Sequence, residues 1–116
     1  MKKIFLTILL IATSTFISSA IAANASNGKA LVEKGNCASC HGADLKSPVA
    51  PGYPKIAGQH ADYLFYALKA YQVTGNPHIG RSNAIMGGQA KPFSKDELKD
   101  IAAYVSTLPG DLVLKK

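Results

Sequence analysis

Cys37 and Cys40 are the only two cysteines in this 116-residue chain, and His41 follows the second directly, in the run "GNCASCHGADL". Two thiols three positions apart can form a disulfide, hold a zinc ion, run dithiol redox chemistry or anchor a larger group. A disulfide here would close a loop of two residues, which constrains the unfolded chain far less than a long loop would. It also leaves His41 unused. Structural zinc needs four ligands. His60 and His78 would have to complete that set, and they stand 18 residues apart, which is not a finger spacing. A thioredoxin-like pair needs a strand before it and a βαβ frame, and no such frame is legible. C-x-x-C-H is also the pattern for covalent haem attachment. The geometry suits that chemistry. Residues i and i+3 share one face of a helical turn, so both sulfurs can reach one edge of a porphyrin. The next residue can then set an imidazole over the iron from the same side. Haem is the expected use of these three side chains.

A haem iron has a second axial position, and whether it is filled largely separates electron carriers from binders of small molecules. Apart from Met1, the chain has one methionine, Met86, in "RSNAIMGGQAKPF", 45 residues after His41. Gly80, Gly87, Gly88 and Pro92 punctuate this stretch, so it reads as a loop without regular structure. A lone Met is commonly core filler, but core filler sits on amphipathic helices. Glycines beside Met86 would let the backbone approach a haem face closely. Met86 is the favoured sixth ligand. His78, in the turn "GNPHIG", is the runner-up, and His60 reads as an exposed or capping residue at a helix start.

Three helices with long loops between them must position these groups. The first is expected from about Asn27 to Lys34, with Ser26 or Asn27 as N-cap and Gly35 as its stop. The segment from Ala43 to Gly58 holds Pro48, Pro51, Pro54, Gly52 and Gly58 and must be a loop. A second helix reads from about His60 to Val73, where Leu64, Leu68 and Tyr71 recur at helical spacing and Gly75 and Pro77 end it. "SKDELKDIAAYVSTLPG" is the clearest. Ser94 and Glu97 form a capping box, and Leu98, Ile101, Ala102, Val105 and Leu108 make an apolar stripe. No strand is expected. The domain is all-α, with little apolar core of its own, and would gain from an apolar cofactor at its centre. The tyrosines of the second helix, Tyr63, Tyr66 and Tyr71, are expected to pack into the core rather than to mark a pairing surface.

The N-terminus bears on where this chemistry happens. Lys2 and Lys3 precede an apolar run, Ile4 to Ile11, and then small and hydroxylated residues up to Ala20-Ile21-Ala22. This reads as a cleaved signal peptide over residues 1–22, with the functional domain over 23–116. The unbroken apolar run is too short to span a bilayer, which takes about 20 residues, so no stable membrane anchor is expected. Export places the chain in the periplasm. Loss of Lys2 and Lys3 would lower the formal net charge from +6 to +4 on 94 residues. That balance, without a basic run interleaved with aromatics, argues against nucleic-acid binding. It suits docking onto an acidic protein partner.

The chain resembles the class I c-type cytochromes, and within them one half of the di-haem periplasmic cytochromes and their single-haem relatives. "CASCHG", "YPKIAGQHADYLFYALKAY", "NAIMGG" and "FSKDELKDIAAYVSTLPG" carry the resemblance, in order and across nearly the whole expected mature domain. It implies a cytochrome c fold of three to four short helices wrapped around one haem c. Cys37 and Cys40 would form the two thioethers, with His41 the proximal and Met86 the distal ligand of the iron. Pro54 matches the proline whose carbonyl accepts from the other nitrogen of the proximal histidine. Gly28 matches the small residue where the first and last helices cross, and Tyr104 the aromatic beside it. Arg81 and Gln59 are possible partners for haem propionates. One attachment motif is present where the di-haem members have two.

The expected function is periplasmic one-electron transfer between respiratory partners, without catalysis of a substrate reaction. By resemblance, the donor would be a membrane quinol-oxidising complex and the acceptor a terminal oxidase or peroxidase. Lys46, Lys55, Lys91 and Lys95 are candidate docking residues. Haem propionates would lower the net charge to about +2, so steering should be modest and salt-sensitive. The alternative is a five-coordinate haem sensor or small peroxidase-like enzyme, should Met86 not be bound.

Overall fold

The computed structural model describes residues 22–76 and 78–111. The expected signal peptide therefore lies almost wholly outside the described residues. Five helices follow in order: α1 (Ala25–Lys34), α2 (Ala38–His41), α3 (Ala61–Tyr71), α4 (Ala84–Ala90) and α5 (Lys95–Thr107). There is no strand among the described residues, and no described helix is long and apolar enough to cross a membrane.

Helix α1 starts earlier than its sequence suggested. Its cap is Asn24, whose side chain accepts from Asn27 N, in place of Ser26 or Asn27. The reason lies across the fold: Asn24 N donates to Asp100 Oδ1 at 2.6 Å and Asn27 Nδ2 to Asp100 Oδ2 at 2.7 Å. Asp100 on α5 thereby holds the first turn of α1. Gly35 caps the other end in a right-handed conformation, and Asn36, at φ 51°, makes the left-handed turn expected of the glycine. Asparagine tolerates that region because its short polar side chain bonds locally.

α1 and α5 form the most extensive helix pair, and α3 packs on α5 beside them. Gly28 makes the first crossing possible. A Cβ there would overlap the Asp100 carbonyl and press on Tyr104 Cβ. The Gly28–Tyr104 crossing drawn from the resemblance is therefore present. Leu31 and Val32 of α1, Leu64 and Phe65 of α3, and Leu98, Ile101, Ala102 and Val105 of α5 form the core. Leu98 is fully buried. The capping box of α5 is formed, with Ser94 N donating to Glu97 Oε2 and Glu97 N to Ser94 Oγ.

Two expectations change. Tyr63 and Tyr66 are 50% and 64% exposed and do not pack into the core, since the inward face of α3 is taken by Leu64 and Phe65. The stretch around Met86 is not an irregular loop: it forms α4, nucleated by Asn83, whose side chain accepts from Met86 N. Gly87 and Gly88 lower its intrinsic propensity, but the cap supplies its first turn.

Candidate functional site

Cys37 is the N-cap of α2 and Cys40 lies within it, so both thiols project from one helical turn that ends at His41. His41 N donates to Cys37 O at 3.1 Å and closes that turn. No disulfide joins the two cysteines, and both are partly exposed. Burial pushes the Cys37 thiol above its usual pKa.

His41 is buried at 5% exposure, whereas His60 and His78 are both exposed. Its Nδ1 lies 2.8 Å from the carbonyl oxygen of Pro54. A carbonyl can only accept, so Nδ1 carries the proton and donates. Nε2 is then the unprotonated nitrogen of the neutral ring. It has no hydrogen-bond partner among the described residues, and no described buried side-chain nitrogen or oxygen is left unsatisfied, so Nε2 borders open space. A buried imidazole fixed on one nitrogen and open on the other suits an axial metal ligand.

The loop between His41 and Pro54 is built for that contact. Gly42 has φ 90°, and a Cβ there would collide with the Ser47 carbonyl. Asp44 Oδ1 accepts from Lys46 N and Ser47 N, and its Oδ2 from Ser47 Oγ, making a tight turn. Leu45 is 2% exposed and sits at φ 56°, a left-handed conformation uncommon for a branched apolar residue. Its carbonyl receives both Ile56 N and Ala57 N, at 2.9 and 3.0 Å. Those two bonds pull the segment after Pro54 inward and set the Pro54 carbonyl over His41. Sequence reading missed Leu45. The available signal was a lone leucine inside a polar, proline-rich loop.

Met86 is half-buried in the first turn of α4. Gly88 faces open space, whereas Gly87 lies against the Tyr71 carbonyl. Val49, Ile79 and Ile85, in the segments that follow His41 and precede Met86, are 65%, 61% and 56% exposed. These residues offer apolar surface without protein cover. Among the described residues no group of three or more His, Cys, Asp or Glu side chains gathers into a metal-ion site. The donor set of Cys37, Cys40 and His41, with Nε2 open, fits a haem bound through its edge and its iron.

Other predicted residues are engaged elsewhere. Arg81 Nη2 donates to the Tyr63 hydroxyl at 3.0 Å, and its guanidinium lies 5.5 and 5.6 Å from the ring centres of Tyr63 and Tyr71. Gln59 Oε1 accepts from His60 N, and the His60 side chain makes no cap bond. Lys55 and Lys46 both reach Asp111, at 2.8 and 3.6 Å. Lys91 and Lys95 are exposed, with no carboxylate partner among the described residues.

This all-helical scaffold with its C-x-x-C-H turn is that of a c-type cytochrome. The chain belongs to the cytochrome c family, whose model matches residues 25–109, and carries haem c. It is 39% identical to cytochrome c4 of Stutzerimonas stutzeri over 117 residues, 97% of this chain and 53% of that protein. It is 37% identical to cytochrome c-553 of Nitratidesulfovibrio vulgaris over 93% of this chain and 100% of that protein. The thiosulfate dehydrogenase electron acceptor of Thiomonas intermedia is 40% identical over 75% of this chain and 38% of its own length. The crystal structure of reduced recombinant cytochrome c4 from Pseudomonas stutzeri superposes with a TM-score of 0.68 at 35% identity, over 78% of this chain and 48% of that one. The chain thus spans about half of the cytochrome c4 length and the full extent of the cytochrome c-553.

Proposed function

We propose that the protein is a periplasmic one-electron carrier whose haem is attached through Cys37 and Cys40 and held axially by His41 and Met86. The observation that carries this reading is the buried His41, anchored through Nδ1 to the Pro54 carbonyl. When bound, the haem supplies the redox chemistry, its iron alternating between ferric and ferrous states.

The residues do the rest. The Pro54 carbonyl holds the Nδ1 proton and raises the basicity of Nε2. It also fixes the plane of the ring. Burial of His41 keeps water from that side. Met86 offers a neutral thioether, which adds no charge and favours the reduced state, raising the potential. Two ligands fixed by helices need little rearrangement when an electron arrives or leaves. The relative named as an electron acceptor of thiosulfate dehydrogenase supports a carrier reading for a chain of this type. Partners here would be a quinol-oxidising membrane complex upstream and a terminal oxidase or peroxidase downstream. Lys91 and Lys95 are the better docking candidates, because Asp111 already partners Lys46 and Lys55.

The test is the visible spectrum of the exported protein, ferric and ferrous, followed by carbon monoxide on the ferrous form. Sharp low-spin ferrous bands, a weak long-wavelength ferric band from an iron–sulfur bond and no response to carbon monoxide are expected. The Met86→Ala variant should lose that ferric band. A high-spin spectrum with rapid carbon monoxide binding in the unaltered protein would overturn the carrier reading in favour of a sensor or an enzyme.

A further inference from the structure

Helix α4 has little to hold it in place. It is seven residues long, contains two adjacent glycines, and buries only Ala90. Helices this short are unstable alone, and glycine weakens them further. Its Asn83 cap forms its first turn but ties it to nothing outside its own chain segment.

One side chain supplies the missing tie. Gln72, the C-cap of α3, directs Nε2 at two carbonyls at once: Ala90 O at 2.8 Å and Phe93 O at 2.8 Å. These are the last residue of α4 and the turn that leads into α5. Among the described residues, no other side chain outside the segment 83–93 makes a hydrogen bond to that segment. The Gln72 amide is part-buried, so water competes weakly for it. Beside it the Tyr71 carbonyl meets the Gly87 face of α4, where a Cβ would stand 3.5 Å away. The end of α3 thus grips the middle and the end of α4, and Met86 lies on the helix so gripped.

We propose that Gln72 is the positioning residue for Met86: its paired hydrogen bonds hold α4 at the distance where the thioether stays on the iron. Without them α4 swings away and the sixth position opens, while the α1–α3–α5 core stays folded. This inference rests on the reading of Met86 as a ligand.

The experiment uses the full haem-loaded protein and its Gln72→Leu variant, which keeps side-chain bulk and removes both donors. Carbon monoxide is the probe. Its binding rate to the ferrous form is measured beside the thermal loss of the long-wavelength ferric band and of helical circular dichroism. One part-buried hydrogen bond is worth up to about a factor of ten in an equilibrium. With two such bonds lost, the variant should bind carbon monoxide roughly tenfold faster than the unaltered protein. It should also lose its ferric band at a temperature where its helix signal is intact. A variant that matches the unaltered protein in both, while Met86→Ala loses the band, overturns the role of Gln72 and leaves the ligand standing. A Met86→Ala variant that keeps the band overturns both. If Gln72→Leu yields no folded haem protein, Gln72→Asn replaces it. It keeps the amide but is one methylene too short for both carbonyls, and the same two results decide.

Discussion

Nδ1 of His41 lies 2.8 Å from the carbonyl oxygen of Pro54, thirteen residues further along the chain. The contact selects one tautomer of the ring, with Nε2 unprotonated and free to bind a metal. It also needs the Pro54 backbone in one place, and the ring of the proline restricts that backbone.

Pro54→Ala should therefore keep the contact but loosen it. The expected loss is about 0.4–1 kcal/mol in denaturant unfolding, because alanine restores freedom to the unfolded chain. The Nδ1 proton of the haem-loaded protein should exchange faster with solvent in the variant, as read by nitrogen-edited NMR. Unchanged exchange would mean that Leu45 alone fixes this segment, through the bonds its carbonyl receives from Ile56 N and Ala57 N.

Gly28→Val should destabilise the whole domain. A side chain there meets the Asp100 carbonyl and Tyr104 Cβ, so α1 and α5 must move apart. Overpacking of this kind costs about 1–3 kcal/mol. Loss of the α1–α5 crossing would also release Asn24 and Asn27 from Asp100. Urea unfolding followed by circular dichroism measures it.

Leu98→Ala should cost about 2–5 kcal/mol, the range for a leucine deleted from a packed core. Leu98 is 0% exposed and stands where α1, α3 and α5 meet. A small domain has little margin for such a loss. The variant should unfold at a lower urea midpoint, with the slope of the transition unchanged.

Acid should weaken the loop that carries Pro54. Hydrogen bonds from Lys46 N and then from Ser47 Oγ hold the Asp44 carboxyl below the usual carboxylate range. A depressed folded pKa means that the unfolded chain takes up the proton first as pH falls. The contribution is present above about pH 4 and is lost as pH drops through the folded value. Asp44→Asn removes the titration. The urea midpoint of the variant should fall less steeply below about pH 4 than that of the unaltered protein.

Much of this was legible in the residues. The C-x-x-C-H turn dictates one helical face for its three donors. The capping box of Ser94 and Glu97 and the apolar stripe from Leu98 to Val105 located α5 nearly to the residue. What stayed hidden depended on distant partners. The start of α1 is set by Asp100, 76 residues away from Asn24. Helix α4 was masked by Gly87 and Gly88, whose local preference lost to the Asn83 cap and the Gln72 bonds. Tyr63 and Tyr66 are expected in the core, but the neighbouring Leu64 and Phe65 fill the inward face, and of the three tyrosines of α3 only Tyr71 is half-buried. No local pattern could have singled out Gln72, because its significance lies entirely in two carbonyls on another helix.

The pairing of α1 with α5 joins the two ends of the described domain, with 60 residues between Lys34 and Lys95. Closing a loop of that length costs about 3–4 kcal/mol in chain entropy beyond a constant term. A chain emerging from its N-terminus cannot recover that cost until α5 has appeared, and until then α1 has no partner. Cys37 and Cys40 lie early in the open loop. The topology thus delays its own closure, and Cys37 and Cys40 are enclosed in the finished domain only when its last helix packs on its first.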